Sequence, residues 1–274
     1  MAIGPSVGYW LASLYDRGVF EGASSVVELG PSEFNWPQKT LAPFLEQHFA
    51  DPDARARFVA GCGLRNGNPH LDRADSFYEL FGIDDYNSID FGDPTATIKH
   101  NLNLPFTPER SYDVVADFGT LEHVFNIGEA FRTAHNLLRP GGIAVHQLPT
   151  YGGYYHGFYN ISSVTFRSLI EANGYEVVDL LYVHDVQLED VHAGRGQKVN
   201  FEDISVAEVR LQTVKFLIHH FGSMLFKRER TSSQIFAALR KTTDADFEFP
   251  HQINKYAINP ETESWQSDRP LTQG

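Results

Sequence analysis

The chain has 274 residues, 42% of them apolar and 13% aromatic, a composition that builds a packed core and excludes a disordered or fibrous protein. Its 35 aspartates and glutamates outnumber 22 lysines and arginines, giving a formal net charge of −13. That balance opposes a non-specific grip on nucleic acid phosphates and suits a neutral or cationic small molecule better than a polyanion. The lone cysteine, Cys62, excludes an intramolecular disulfide and a four-cysteine zinc site.

No stretch approaches the ~20 apolar residues of a membrane span, and Met1 to Ser6 lacks the basic start and apolar run of a signal peptide. The expectation is a soluble, cytoplasmic protein with neither nucleic acid nor membrane as partner. A homo-oligomer is admissible.

Residues 6 to 20 space Val7, Trp10, Leu11, Leu14, Tyr15 and Phe20 as one face of a helix ending near Gly18, so 1–23 is expected to be a lead-in helix. Ser24 to Phe34 then reads as a buried parallel strand, Val26 to Leu29, running into a tight turn. Gly30 permits positive φ or close approach of a ligand, and Glu28 places a carboxylate at the strand end. Trp36 to Phe49 carries Leu41, Phe44, Leu45 and Phe49 at helical intervals, with Pro37 at its start and Pro43 inside.

Residues 51 to 75, rich in Gly, Pro, Asn and Asp, read as an excursion or a substrate-facing loop. Gly61 to Gly67 superficially resembles a dinucleotide glycine loop, but Asn68-Pro69-His70 does not open a helix toward a phosphate. Ser76 to Gly82 reads as a short helix and Tyr86 to Asp90 as a short strand ending in an acid. An acid at that tip suits a ribose diol, although Asp90 lies farther than the usual ~20 residues past the glycine turn. Asp at a strand-to-turn junction is also a common turn former.

Thr97 to Phe106 is expected to give an edge strand and a turn, and Tyr112 to Thr120 a buried strand ending in a polar-glycine turn. Leu121 to Leu138 has helical spacing and is stopped by Arg139-Pro140-Gly141-Gly142, ahead of a strand over Ile143 to Leu148. Such alternation implies right-handed crossovers and a mainly parallel sheet with helices on both faces. Ser163 to Asn173 then reads as a helix and Tyr175 to Val183 as a strand. The apolar segment from Val206 to Lys227 is expected to complete an antiparallel hairpin with that strand, and 240 to 274 to be a weakly structured tail.

Four motifs together resemble the class I S-adenosylmethionine-dependent methyltransferases: Val27-Glu28-Leu29-Gly30, Ser88-Ile89-Asp90, Tyr112-Asp113-Val114-Val115 leading to Gly119-Thr120-Leu121-Glu122-His123-Val124, and Leu138-Arg139-Pro140-Gly141-Gly142. The resemblance covers about residues 24 to 185. It implies an α/β, Rossmann-like three-layer sandwich with a mainly parallel seven-stranded sheet and an antiparallel C-terminal hairpin. The cofactor domain would span 24–230, with an insertion at about 50–75, followed by a C-terminal extension over 231–274.

The resemblance further implies S-adenosylmethionine as cofactor. Glu28 would approach its methionine amino end, with Gly30 and Ser32 in the loop beneath it. Asp90, beside Phe91, would hold the ribose hydroxyls, Asn101 and Leu102 would flank the adenine, and Asp117 with Phe118 would line the methionine side. Ser32 and Phe34 stand where the family usually carries glycines, so either the loop curves differently or Phe34 swings out.

Methyl transfer from a sulfonium is an in-line displacement in which the protein supplies positioning and, for some acceptors, a base. His123, at the turn opening a helix, and His156, in the aromatic-glycine stretch Tyr151 to Asn160, are the candidate bases; each also has a packing or loop-shaping reading. Glu122 is either an acid–base partner or a helix-start acid. No metal is expected: His184-Asp185, Glu189-Asp190, His192 and His219-His220 lack diagnostic spacing and read as solvated polar loop. The expected activity is methyl transfer to oxygen or nitrogen of a small-molecule acceptor. The alternatives are a non-catalytic binding or scaffold protein of the same fold, and a nicotinamide-dependent oxidoreductase using the 61–67 glycine run.

Overall fold

The computed structural model describes residues 2–151, 156–184, 197–198 and 233–251. The chain opens with β1 (Ala2–Ile3), α1 (Pro5–Asp16), β2 (Ser25–Leu29), β3 (Glu33–Asn35), α2 (Gln38–His48) and α3 (Pro52–Gly61). There follow β4 (Gly63–Arg65), β5 (Asn68–Leu71), α4 (Asp75–Glu79), β6 (Asp85–Asp90), β7 (Ile98–Lys99), β8 (Tyr112–Phe118) and a single 3₁₀ turn, Leu121–His123. The remainder is α5 (Ile127–Leu137), β9 (Leu138–Tyr151), α6 (Ser163–Asn173), β10 (Glu176–His184), β11 (Gln197–Lys198) and β12 (Ser233–Arg240).

The main sheet runs β11-β10-β12-β9-β8-β2-β6-β7. β7, β6, β2, β8 and β9 are parallel, and β12 is antiparallel to both β9 and β10. Seven strands carry the expected Rossmann-like arrangement with its antiparallel closing hairpin, and the two-residue β11 extends the edge as an eighth. The central strands are rich in β-branched residues because both of their faces are covered. Alternate side chains divide accordingly: Val26, Val114, Ala116 and Phe118 pack on the side of α1 and α2, while Val27, Leu29 and Val115 pack with Phe131 of α5 and Phe166 of α6.

The stretch expected as an excursion holds α3 and then β4 and β5, which join β1 and β3 in a second sheet of order β1-β3-β5-β4. The run over 61–67 is not a ligand loop. Gly61 ends α3, and Asn66 (φ +54) with Gly67 (φ +78) forms the two-residue turn of the β4–β5 hairpin, the Asn-Gly chemistry that left-handed backbone at both turn positions requires. This geometry removes the structural basis of the nicotinamide reading.

The second strand of the closing hairpin is Ser233–Arg240, beyond the position expected for it, and it lies between β9 and β10 inside the sheet. Val206 to Lys227 lies outside the described residues. The expected helix from Leu121 is interrupted: after the 3₁₀ turn Val124 is extended, and α5 begins only at Ile127. Asn103 holds the interruption, its side-chain oxygen accepting from Asn126 N at 2.9 Å and its carbonyl from Asn126 Nδ2 at 3.1 Å. The Arg139-Pro140-Gly141-Gly142 stop is itself part of β9. Gly142 is obligatory there, since a Cβ would lie 2.9 Å from the carbonyl oxygens of both Arg139 and Asp113.

Candidate active site

β2 is flanked by β8 on one side and β6 on the other, so chain order reverses at its edge, and the crevice beyond the carboxyl ends of these strands is where open α/β sheets bind ligands. Gly30 sits there at φ +75, donating its N–H to the carbonyl of Ile89 at 2.8 Å. Glu28, two residues earlier within β2, is 1% exposed. Its Oε1 accepts from the Tyr78 hydroxyl at 2.8 Å, and its Oε2 from Ser32 N at 2.8 Å and the Tyr86 hydroxyl at 2.6 Å. Burial raises the Glu28 pKa, against the lowering effect of those donors. The carboxylate therefore braces the loop from inside, with Ser32, also 1% exposed, as the point of attachment.

Phe34 has turned into the interior and not outward. β3 carries the chain from the Gly30 turn into the small sheet, pairing with β1 and β5. There Phe34 is fully buried, stacked on Trp36 at 5.7 Å between ring centroids and edge-on to Phe58 at 5.1 Å. The absent glycines are thereby explained: the loop leaves the crevice as a strand, so Ser32 and Phe34 need no bare backbone.

At the tip of β6, Asp90 Oδ1 accepts from Gly92 N at 2.7 Å and Asp93 N at 2.8 Å, the turn-forming role, while Oδ2 makes no hydrogen bond among the described residues. Phe91 beside it is 75% exposed. Asn101 Oδ1 accepts from Asn103 N at 3.0 Å and shapes its own turn, and Leu102 is buried on the α5 side.

Asp117 and Phe118, expected to line the methionine side, both point inward. Asp117 is fully buried; its Oδ1 accepts from Thr120 N at 2.9 Å and Leu121 N at 3.3 Å, and its Oδ2 lies 3.1 Å from His146 Nδ1. Phe118 is 3% exposed in the opposite core. Their side chains shape the turn after β8 from beneath, and the Thr120 hydroxyl donates to the Leu29 carbonyl, clasping that turn to the end of β2.

The clasp sets the position of the candidate bases. His123 and His156 lie together, ring centroids 4.8 Å apart and edge-on, over Glu122. Glu122 Oε1 is 3.2 Å from His156 Nε2 and 3.9 Å from His123 Nε2. The segment bearing His156 is fastened there by Phe158 N donating to the Glu122 carbonyl at 2.7 Å, and Gly157 is needed because a Cβ would come within 2.7 Å of that same oxygen. Burial first, and the charge of Asp117 second, push the Glu122 carboxyl up to about 8. Burial and the neighbouring His156 lower the pKa of His123, which favours the neutral imidazole. Phe125 and Phe158, both largely exposed, form an edge-on pair at 5.5 Å beside this cluster.

Sequence reasoning missed the Tyr78 and Tyr86 hydroxyls under Glu28, because two tyrosines among twelve carry no mark of sharing one carboxylate. Of the polar-loop residues weighed for a metal, His184 ends β10 and the rest lie outside the described residues.

A family model described as a methyltransferase domain matches residues 2–180. The chain belongs to this methyltransferase family. No curated protein matches it. Among solved structures, the methyltransferase is similar to a protein of Bacillus halodurans C-125 provisionally described as a methyltransferase (15% identity, 85% of this chain and 99% of that one, TM-score 0.44). It is also similar to the N-methyltransferase NodS of Bradyrhizobium japonicum WM9 (10%, 85% and 86%, 0.40) and to an O-methyltransferase of a Brevibacillus brevis polyketide multienzyme (13%, 87% and 73%, 0.39).

The cofactor of this methyltransferase is S-adenosylmethionine, and the crevice fits it: a positive-φ glycine at the first strand end, and at the second an Asp90 oxygen without a donor among the described residues. No described helix of the methyltransferase is long and apolar enough to cross a membrane.

Proposed function

We propose that this enzyme methylates an oxygen or nitrogen of a small-molecule acceptor held against the Glu122, His123 and His156 cluster. S-adenosylmethionine supplies the electrophilic methyl group when bound. Asp90 Oδ2 would accept from the ribose hydroxyls, with the Gly30 turn under the methionine end. Glu122 orients His156 through Nε2, and the imidazole of His123 or His156 takes the acceptor's proton. The exposed Phe125 and Phe158 rings give that acceptor an apolar edge and exclude water. A net charge of −13 favours a neutral or cationic acceptor over nucleic acid. The lone Cys62 suits the reducing cytoplasm as its location.

The observation that carries this reading is the convergence of two histidines, distant in sequence, on one buried carboxylate beside the cofactor crevice. Calorimetry with S-adenosylhomocysteine tests the crevice: micromolar-range binding is expected for the wild type, and Asp90→Ala should weaken it about tenfold or more, the cost of a charge-assisted hydrogen bond. Absence of binding to the wild type overturns the reading. Methylation of an amine and phenol panel, lost in His123→Ala or His156→Ala while homocysteine-adduct binding persists, separates this enzyme from a scaffold of the same fold.

A further inference from the structure

We propose that Glu122, His123 and His156 form a binding site for a divalent transition-metal cation, which takes an acceptor oxygen as a further ligand. One ligand atom from each residue lies within 4.8 Å of the other two, and the closest pair, at 3.2 Å, already has the spacing of donors about 2.1 Å from a tetrahedral centre. The two imidazoles are the more exposed members, at 45% and 57%, so their rings are free to close on a cation while the carboxylate stays fixed. Two imidazoles and one carboxylate select zinc, cobalt, manganese or iron over magnesium or calcium, which favour oxygen throughout.

A second observation points to a cation at this place. Glu122 is 1% exposed, yet its Oε2 is buried without a hydrogen-bond partner among the described residues. A buried carboxyl oxygen without a partner is costly, and a bound cation would supply the missing interaction. The other three-group cluster among the described residues, Glu33, His70 and Asp72, already has a positive partner: Arg65 reaches Glu33 at 2.7 Å and Asp72 at 3.2 Å. At Glu122 no arginine or lysine plays that part among the described residues.

Three protein donors leave coordination positions for an acceptor hydroxyl, whose acidity a cation raises, so that with the cation bound His123 and His156 serve as ligands in place of the proton-accepting role they have without it; this consequence rests on the methyl-transfer reading, whereas metal binding itself does not. The test is titration of the untagged, chelator-treated full chain with Co2+, followed by visible absorption, and with Zn2+ by calorimetry. One equivalent should bind, with His156→Ala and His123→Ala each weakening it about tenfold or more and His70→Ala leaving it unchanged. Both histidine variants alter exposed side chains and should keep the wild-type unfolding midpoint. No binding by the wild type at millimolar metal, or binding lost in His70→Ala and retained in the other two, overturns the proposal. Metal binding without any S-adenosylhomocysteine binding would sink the methyl-transfer reading and leave the metal site standing; the converse result would do the opposite.

Discussion

Gly157 and Glu122 show how one missing side chain sets the geometry of the candidate site. The backbone around Gly157 is exposed, but a Cβ there would press on the Glu122 carbonyl oxygen at 2.7 Å and on Cγ at 2.9 Å. An alanine at this position forces the segment off the 3₁₀ turn, and His156 leaves with it. Because 156–158 is surface chain, the segment can lift without opening the core, so stability should change by about 1 kcal/mol or less. Methyl transfer should fall far more, since a displacement of about 1 Å can cost on the order of a hundredfold. Thermal unfolding and turnover measured on Gly157→Ala separate the two effects. Equal losses in both would show that the contact is structural only.

Among the elements, β3 decides how a glycine-poor loop coexists with a cofactor crevice. It converts the turn after β2 into a strand of the small sheet and delivers Phe34 among Trp36, Phe58 and Phe77. Phe34→Ala should therefore destabilise by about 3–5 kcal/mol, the range for truncating a fully buried phenylalanine, as read by urea denaturation. A loss under about 1 kcal/mol would mean that the ring is not buried as described.

The parallel strands themselves were legible because β-branched runs such as Val26-Val27 and Val114-Val115 are fit for burial on both faces. The Asn66-Gly67 hairpin carried a readable turn signal, but Pro69 in the partner strand and the surrounding glycines masked it. The closing strand was placed too early because apolar segments before and after residue 230 read alike. Only pairing chooses between them, and Ser233–Arg240 is the segment seated between β9 and β10.

Across the whole molecule, Asp113 ties together the end of the sheet opposite the crevice. Its carboxylate accepts from Ser24 N and Ser25 N, both at 2.9 Å, and from Arg139 Nε at 2.5 Å, joining β2, β8 and β9. Burial alone would raise its pKa, but the Ser24 N–H, the Arg139 guanidinium and Ser25 together hold it well below the usual carboxylate range. The folded state thus favours the charged form. The associated stability is fully present above the unfolded-state value of about 3.9 and is lost as pH falls below it toward the depressed folded value. Asp113→Asn should be less stable than the wild type at pH 7, with the gap narrowing below about pH 4 in denaturant titrations. A gap independent of pH would exclude the charge as its origin.

Sequence alone determined the kind of fold and the two histidines worth testing, because strand burial, helix stops and glycine turns are local chemistry written in consecutive residues, while the cofactor class followed from the family resemblance of four motifs. Tertiary structure decided what each side chain faces. Glu28, Asp117 and Phe118 look like ligand groups in sequence but point into the protein, where tyrosine hydroxyls, backbone N–H groups and packed rings surround them. His123 and His156 become one site only because Thr120 clasps β8 to β2 and Gly157 lets the following segment lie on Glu122. Contacts between distant segments depend on sheet order and close backbone approach, and neither has a periodicity that a single chain can display.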